Sequence, residues 1–337
     1  MKIALVSDAW APQINGVVRT LQNVVAEATR LGHEVRTVTP DLSPTIPCPT
    51  YPEIRLALRP GRAVRRIFDD FAPDAIHIAT EGPLGVTARG LCLKRGLPFT
   101  TSFHTKFPEY LAARFRVPVS WSYRWLRHFH APAKGVMVAT DSVRRELDAR
   151  GFGNLQRWTR GVDARLFSPE RRRENDGELA GLPRPIFLAV GRVAVEKNLA
   201  AFLDLDLPGS KVVVGDGPQL GELRRRHPEV HFLGPRTGVP LAEAYASADV
   251  FVFPSRTDTF GLVLLEAMAS GLPVAAYPVP GPLDVIGDSP AGRLDEDLRR
   301  AALGALDIPR TLCREHALTF DWPNCANQFL HNLHPVH

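Results

Sequence analysis

Two carboxylates eight positions apart, Asp258 and Glu266, stand in the stretch SRTDTFGLVLLEAMASG (255–271). Upstream, VFVFPS (250–255) is a continuous apolar run of the kind that forms a buried parallel strand. Downstream, the pattern predicts an apolar helix over 262–269 after a short Thr259-Phe260-Gly261 turn. The first acid then sits on the loop leaving a strand, and the second on the helix that follows. Between them lie the backbone N–H groups of Phe260, Gly261 and Leu262, at a helix start, where phosphate is attracted. A phosphate cradle flanked by two acceptors for hydroxyl groups suits a nucleotide sugar.

A second group of residues could serve the same ligand. GRVAVEKN (191–198) follows another apolar run and carries Arg192 and Lys197. Two fixed cations at a strand exit can bind a diphosphate and stabilise the charge that grows on it as a sugar–phosphate bond breaks. The plain alternative is a surface ion pair with Glu196. GDGP (215–218) and FLGPR (232–236) end further strands in turns, which bring Gly215, Gly217 and Arg236 to the same end of the sheet or are merely tight connections. In PQINGVVRT (12–20), Gly16 opens a helix and lets a diphosphate approach its backbone. TEGPLG (80–85) and SFHTKFPEY (102–110) also start where strands end, and contribute Glu81, His104 and Lys106. Histidine there can hydrogen-bond a sugar hydroxyl; it can equally fill the end of a strand.

The elements that must position these residues alternate. Strands are predicted at 2–7, 35–40, 75–80, 99–104 and 135–140, then at 185–193, 211–217, 230–235, 249–255 and 272–278. Helices are predicted at 17–32, 61–71, 83–96, 141–151, 219–227, 241–248 and 262–270, with Asp141 and Ser142 as N-cap residues of the fourth. Such alternation implies an α/β chain with two doubly wound parallel sheets, whose ligands bind beyond the carboxyl ends of the strands. The charged stretch PERRRENDGELAG (169–181) reads as the join between them.

The bulk composition narrows the options. A chain of 337 residues with 45% hydrophobic and 23% charged residues is an ordinary globular one, long enough for two cores. No run of 18 apolar residues exists, and Asp8 interrupts the apolar start, which reads as a first strand and not as a leader. Cys48, Cys92, Cys313 and Cys325 lie far apart without metal spacing, as expected of reduced thiols in a cytoplasmic protein. No GxGxxG follows the first strand, which argues against a dehydrogenase. No RNA-binding or zinc motif is present, so no nucleic-acid partner is expected. Residues 1–165 hold 24 Lys and Arg against 14 Asp and Glu, whereas the remainder holds 17 against 22. A basic first half suits a polyanion or an anionic membrane surface. The stretch 114–134 mixes Trp121, Tyr123, Trp125 and Phe129 with cations, either as interfacial anchors or as a helix with one buried face.

DTFGLVLLEAMASGLPV (258–274) resembles the EGFGxxxxEAMAxGxPV signature of the family 4 retaining glycosyltransferases of the GT-B fold, with Asp258 where Glu is usual. TEGPLG with FHTKFPEY is similar to the branch that holds α-mannosyltransferases and the sulfoquinovosyl- and glycosyl-diacylglycerol synthases. The resemblance spans essentially the whole chain. It implies two Rossmann-like domains, 1–168 and 182–318, facing across a cleft, and a helix within 319–337 crossing back to the first. It also implies same-face transfer of a hexosyl unit from a UDP- or GDP-sugar to a lipid or saccharide hydroxyl, without a metal or other cofactor. Arg192 and Lys197 would hold the diphosphate, Asp258 the donor sugar and Glu266 the ribose, with Gly16, Gly215, Gly217 and Arg236 as further donor contacts. His104 would lie beside the reacting sugar, and Arg160, in RGVD (160–163), would reach the acceptor or a donor phosphate. The shorter Asp258 arm implies a shifted sugar or an altered donor. Nucleotide-sugar 2-epimerases share the fold and form the alternative from another enzyme class; a non-catalytic sugar-binding scaffold is the third.

Overall fold

Short runs buried on both faces build two six-stranded parallel sheets in a computed structural model that describes residues 1–13, 15–48, 51–109 and 118–336. The first sheet contains β1 (Lys2–Val6), β2 (Glu34–Val38), β5 (Ala75–Ile78), β6 (Thr100–Phe103), β7 (Gly135–Val138) and β8 (Leu155–Arg157). Its order is β2-β1-β5-β6-β7-β8. β3 (Thr45–Cys48) and β4 (Tyr51–Ala57) form a separate antiparallel pair. The second sheet contains β9 (Ile186–Val190), β10 (Ser210–Val214), β11 (His231–Gly234), β12 (Val250–Phe253), β13 (Val274–Ala276) and β14 (Gly292–Leu294), in the order β11-β10-β9-β12-β13-β14. All ten predicted strands are present. The β3–β4 pair and the edge strands β8 and β14 were not foreseen.

The chain forms two compact units, Met1–Arg160 with Trp322–His337, and Gly161–Asp321. The break therefore falls at Arg160/Gly161, ahead of the expected linker at 169–181. That stretch is part of the second unit: Arg173 N–H donates to Ser247 Oγ at 2.9 Å, and Glu178 is held by Arg236. Its charges find partners 58 and 70 residues away, in Arg236 and Glu243, so the stretch looks like a solvated linker when read alone. The expected boundary at 318/319 likewise moves to 321/322.

In the first unit, helix Trp322–Asn332 packs on helix Gly16–Arg30. Its Phe329 ring lies 5.1 Å from Trp158 and 4.9 Å from His77, and Trp158 Nε1–H donates to Cys325 O at 3.1 Å. Helix Val119–His130 buries Tyr123, Leu126, Phe129 and His130 and leaves Trp121 and Trp125 exposed. Residues 114–117 of the aromatic-basic stretch lie outside the described residues, as do Ile14 and Tyr110. Helix Asp141–Ala149 is capped by Thr140, whose Oγ1 accepts from Val143 N–H, and not by Asp141 or Ser142. Both of those residues are already inside the first turn.

His77 is fully buried on β5, with Nδ1 2.9 Å from Thr100 Oγ1 and Nε2 2.6 Å from Ser102 Oγ. Burial, with the Arg160 cation nearby, pushes its pKa down from 6.5 to about 3. The folded state thus keeps it neutral where an unfolded chain would protonate it. Stability from this group is complete above the unfolded value and is lost as pH falls through the window towards 3, at up to about 1.4 kcal/mol per pH unit. Urea midpoints measured from about pH 7 down to about pH 4 should fall accordingly. His77→Gln should flatten that dependence; an unchanged slope would mean other groups carry the acid sensitivity.

Candidate active site

β9 and β12 are neighbours whose chains leave towards opposite edges of the second sheet, β9 to β10 and β12 to β13. A crevice opens beyond their carboxyl ends at such a reversal. The two loops that flank it are 191–198 and 254–261. They are tied together: Asn198 Nδ2 donates to Pro254 O at 3.1 Å, and the Thr257 and Ser255 hydroxyls donate to Glu196 O at 3.2 and 3.3 Å. Lys197 Nζ pairs with Asp258 Oδ1 at 2.5 Å, both side chains largely buried. The structure thus joins two residues that were assigned to different parts of one ligand, the diphosphate and the sugar. An ion pair does form on this loop, and it reaches Asp258, 61 residues away.

Gly261, at φ +85°, turns the chain into helix Leu262–Ala269, so Thr259, Phe260, Gly261 and Leu262 form the expected turn at its start. A side chain at Gly261 would stand in a conformation that costs an L-residue roughly 1–2 kcal/mol. Glu266 is one of the few buried carboxylates, 4% exposed, and its Oε2 accepts from the buried Tyr245 hydroxyl at 3.0 Å. Arg192 is half-buried directly after β9. Gly215 and Gly217 have a structural reason of their own. A Cβ on Gly215 would meet Gly191 O at 1.8 Å, and one on Gly217 would meet Val193 O at 2.4 Å. Both glycines therefore seat the 215–217 turn directly against the Arg192 loop. Arg236 is committed elsewhere: it grips Glu178 through Nη2 at 2.6 Å and Nε at 2.9 Å, and this cation holds the Glu178 carboxyl below its usual range. The expectation that Arg236 stands at the nucleotide finds no support in that geometry.

The first sheet has its own reversal between β1 and β5. Asp8, just beyond β1, is buried there, where Oδ1 accepts from Leu84 N–H at 2.9 Å and Oδ2 from the Thr80 hydroxyl at 2.9 Å and Gly85 N–H at 3.3 Å. Burial raises its pKa despite those donors. Of the glycines of TEGPLG, Gly82 makes room for Asp8 and Gly85 for the loop's own backbone. A Cβ on Gly82 would lie 2.4 Å from Asp8 Cγ, and one on Gly85 would lie 1.8 Å from Thr80 O. Glu81 is held by His130 Nε2 at 3.2 Å, while His130 Nδ1 lies 2.9 Å from Thr101 Oγ1. Lys106 pairs with Glu146 at 2.6 Å, in a network with Tyr123 and Arg150. Gly16 is the first residue of helix Gly16–Arg30, behind the Asn15 cap.

His104 follows β6, half-buried, with its ring 5.6 Å from Trp158. Arg160 Nη2 donates to its Nδ1 at 3.2 Å. The other terminal nitrogen of Arg160 donates to Trp158 O at 2.6 Å and Thr159 O at 2.9 Å, and the guanidinium lies 4.4 Å over the Trp158 ring. Arg160 is therefore buried and turned back on its own segment, which corrects the expectation that it reaches out to a phosphate or an acceptor. Burial lowers its pKa to about 10, which leaves it a cation at neutral pH. Burial, then Arg160 and His77, hold His104 well below the usual imidazole range. No cluster of three His, Cys, Asp or Glu able to hold a metal ion occurs among the described residues.

Comparison with known proteins matches residues 14–166 to Glycosyltransferase Family 4 and residues 184–305 to Glycosyl transferases group 1. A GDP-mannose-dependent alpha-mannosyltransferase of Mycobacterium tuberculosis is 32% identical over 87% of this chain and 83% of its own length. The chain belongs to the family 4 glycosyltransferases. It is a retaining glycosyltransferase. An alpha-monoglucosyldiacylglycerol synthase of Streptococcus pneumoniae is 29% identical over 95% of this chain and 81% of its own. Among solved structures, sucrose-phosphate synthase from Thermosynechococcus elongatus shares the GT-B fold with a TM-score of 0.77, at 21% identity over 98% of this chain and 97% of that one.

Three residues of this glycosyltransferase were not picked out from the sequence: Asp8, His130 and Tyr245. Each acts through a partner far along the chain, and only Asp8 left a trace, as a charge in an apolar start. Tyr245→Phe removes one donor to a buried carboxylate. The variant is expected to lose roughly 1.5–3 kcal/mol of stability, read as a lower urea midpoint with an unchanged slope. A midpoint equal to the parent's would show that this hydroxyl does not support Glu266.

Proposed function

We propose that the enzyme transfers a hexosyl unit from a UDP- or GDP-sugar, with GDP-mannose the first donor to test, to a hydroxyl on a membrane lipid, without a metal ion. The observation that carries the donor half is the Lys197–Asp258 pair at the reversal of the second sheet, with Arg192 on the same loop and Glu266 on the helix that follows. An incoming diphosphate takes Lys197 and Arg192. Asp258, released from the ammonium, then accepts from hydroxyls of the sugar. N–H groups of Phe260–Leu262 add to the phosphate cradle, and Glu266, oriented by Tyr245, accepts from the ribose. The departing phosphate takes the acceptor proton as the new bond forms on the same face. In the first unit, His104 hydrogen-bonds and positions the acceptor, with Glu81 and Lys106 on neighbouring strand-end loops.

Support for this donor and acceptor comes from the similarity to the mannosyltransferase and the diacylglycerol-linked synthase. The lipid side also has a surface feature in its favour. Trp121, Arg124, Trp125 and His128 are exposed at i, i+3, i+4 and i+7 on helix Val119–His130, with the tryptophans 65% and 49% exposed. Aromatic rings beside cations on one stripe suit an anionic membrane interface.

A donor panel with a lipid extract as acceptor should give product, and Glu266→Ala should weaken nucleotide-sugar binding by roughly 1.5–3 kcal/mol in calorimetry. Equal affinity of parent and variant for every nucleotide sugar would remove Glu266 from the site. Co-sedimentation with liposomes should rise with anionic lipid, fall with salt, and drop in Trp121→Ser/Trp125→Ser. A protein that ignores anionic liposomes at low salt points to a soluble saccharide acceptor.

A further inference from the structure

Arginine has only donors, so the 3.2 Å contact from Arg160 Nη2 to His104 Nδ1 needs a lone pair on that nitrogen. A neutral imidazole that accepts at Nδ1 carries its proton on Nε2. Arg160 has no freedom to release this contact. The residue is 4% exposed, and its guanidinium is pinned by two carbonyls and stacked over Trp158. Trp158 is itself fixed, with Nε1–H on Cys325 O and its ring against Phe329 and His77. The titratable groups that bear on His104 among the described residues are Arg160 and His77. One is a cation, and the other has both ring nitrogens against hydroxyls, so neither favours an imidazolium.

We propose that Arg160 is a positioning residue that locks His104 in the neutral tautomer with its proton on Nε2, so that this imidazole serves the reaction as a hydrogen-bond donor and not as a base. The inference rests on the reading above that His104 attends the acceptor. It reassigns Arg160 from ligand contact to support, and it is compatible with a chemistry in which the leaving phosphate, and no side chain, removes the acceptor proton. A neutral donor also leaves turnover independent of imidazole titration.

The tautomer can be read without any assay of activity. Long-range proton–nitrogen spectra of the labelled enzyme, with the His104 signals assigned by their loss in His104→Gln, should show a bare Nδ1 and a protonated Nε2. They should not titrate between about pH 5 and about pH 8. A proton on Nδ1, or a titration near the ordinary histidine value, overturns the proposal. Arg160→Met should free the ring to titrate and lower kcat roughly 10–100-fold, the size seen when a metal-bound histidine loses its supporting partner, with the donor KM little changed. Arg160→Lys, which keeps a cationic donor, should recover part of that loss. Should the Met variant not fold, the parent's spectrum decides alone. Gln places an N–H near the imidazole Nε2 position, and so should retain more turnover at residue 104 than Asn. If the spectrum is as expected but His104→Gln, His104→Asn and His104→Ala all match the parent in turnover, the lock stands and its role in the reaction falls.

Discussion

Where β9 and β12 lie side by side, the chain departs from them in opposite directions, and no connection covers the ends of these two strands. Everything assigned to the donor depends on that constraint. It leaves two loops facing each other with backbone groups and charges that must be satisfied by one another. The Lys197–Asp258 pair is the result. Two largely buried charges of opposite sign are tolerable only together, because either one alone would carry most of its desolvation cost unpaid. A ligand that replaces one partner must therefore offer something to the other. A molecule carrying both anionic oxygens and hydroxyl donors meets that condition, whereas a simple phosphate meets half of it.

The first sheet reaches the same geometric situation and resolves it differently. At the β1–β5 reversal, the start of helix Pro83–Arg95 receives Asp8, a carboxylate from the chain itself, where a bound anion would otherwise be favoured. The protein thus has two equivalent reversals, one filled by Asp8 and one lined by the Lys197–Asp258 pair. Internal filling makes TEGPLG rigid: two glycines whose hydrogen atoms face a carboxylate and a carbonyl leave no slack in the loop that presents Glu81.

Much of this was legible in the sequence. Ten strands followed from apolar runs, and the carboxylate spacing placed Asp258 and Glu266 on the elements that carry them. Apart from the local Thr140 cap and the β3–β4 pair, the misses share one physical origin, contacts made across long sequence separations. Thr140 outranks Asp141 as a cap because the strand–helix geometry starts the first turn one residue earlier. Arg236 reads as a free cation until Glu178, 58 residues away, closes on it. The GDGP glycines look like a phosphate turn, yet both are required by the neighbouring loop whether or not a ligand is bound. The β3–β4 pair escaped notice because each of its strands carries a proline, which argues against a ladder strand when read from the sequence.

The first unit begins at Met1 but is completed only by Trp322–His337, after the whole of the second. On the ribosome, the order of synthesis and the order of completion are therefore reversed. Residues 1–160 emerge first and must wait with helix Gly16–Arg30 and the Trp158 ring uncovered, because Phe329 and Cys325 have yet to be made. The second unit, continuous in sequence, can close meanwhile. A half-finished chain would consequently present an intact second unit and a sticky, unsealed first one, the state in which chaperones have most to hold.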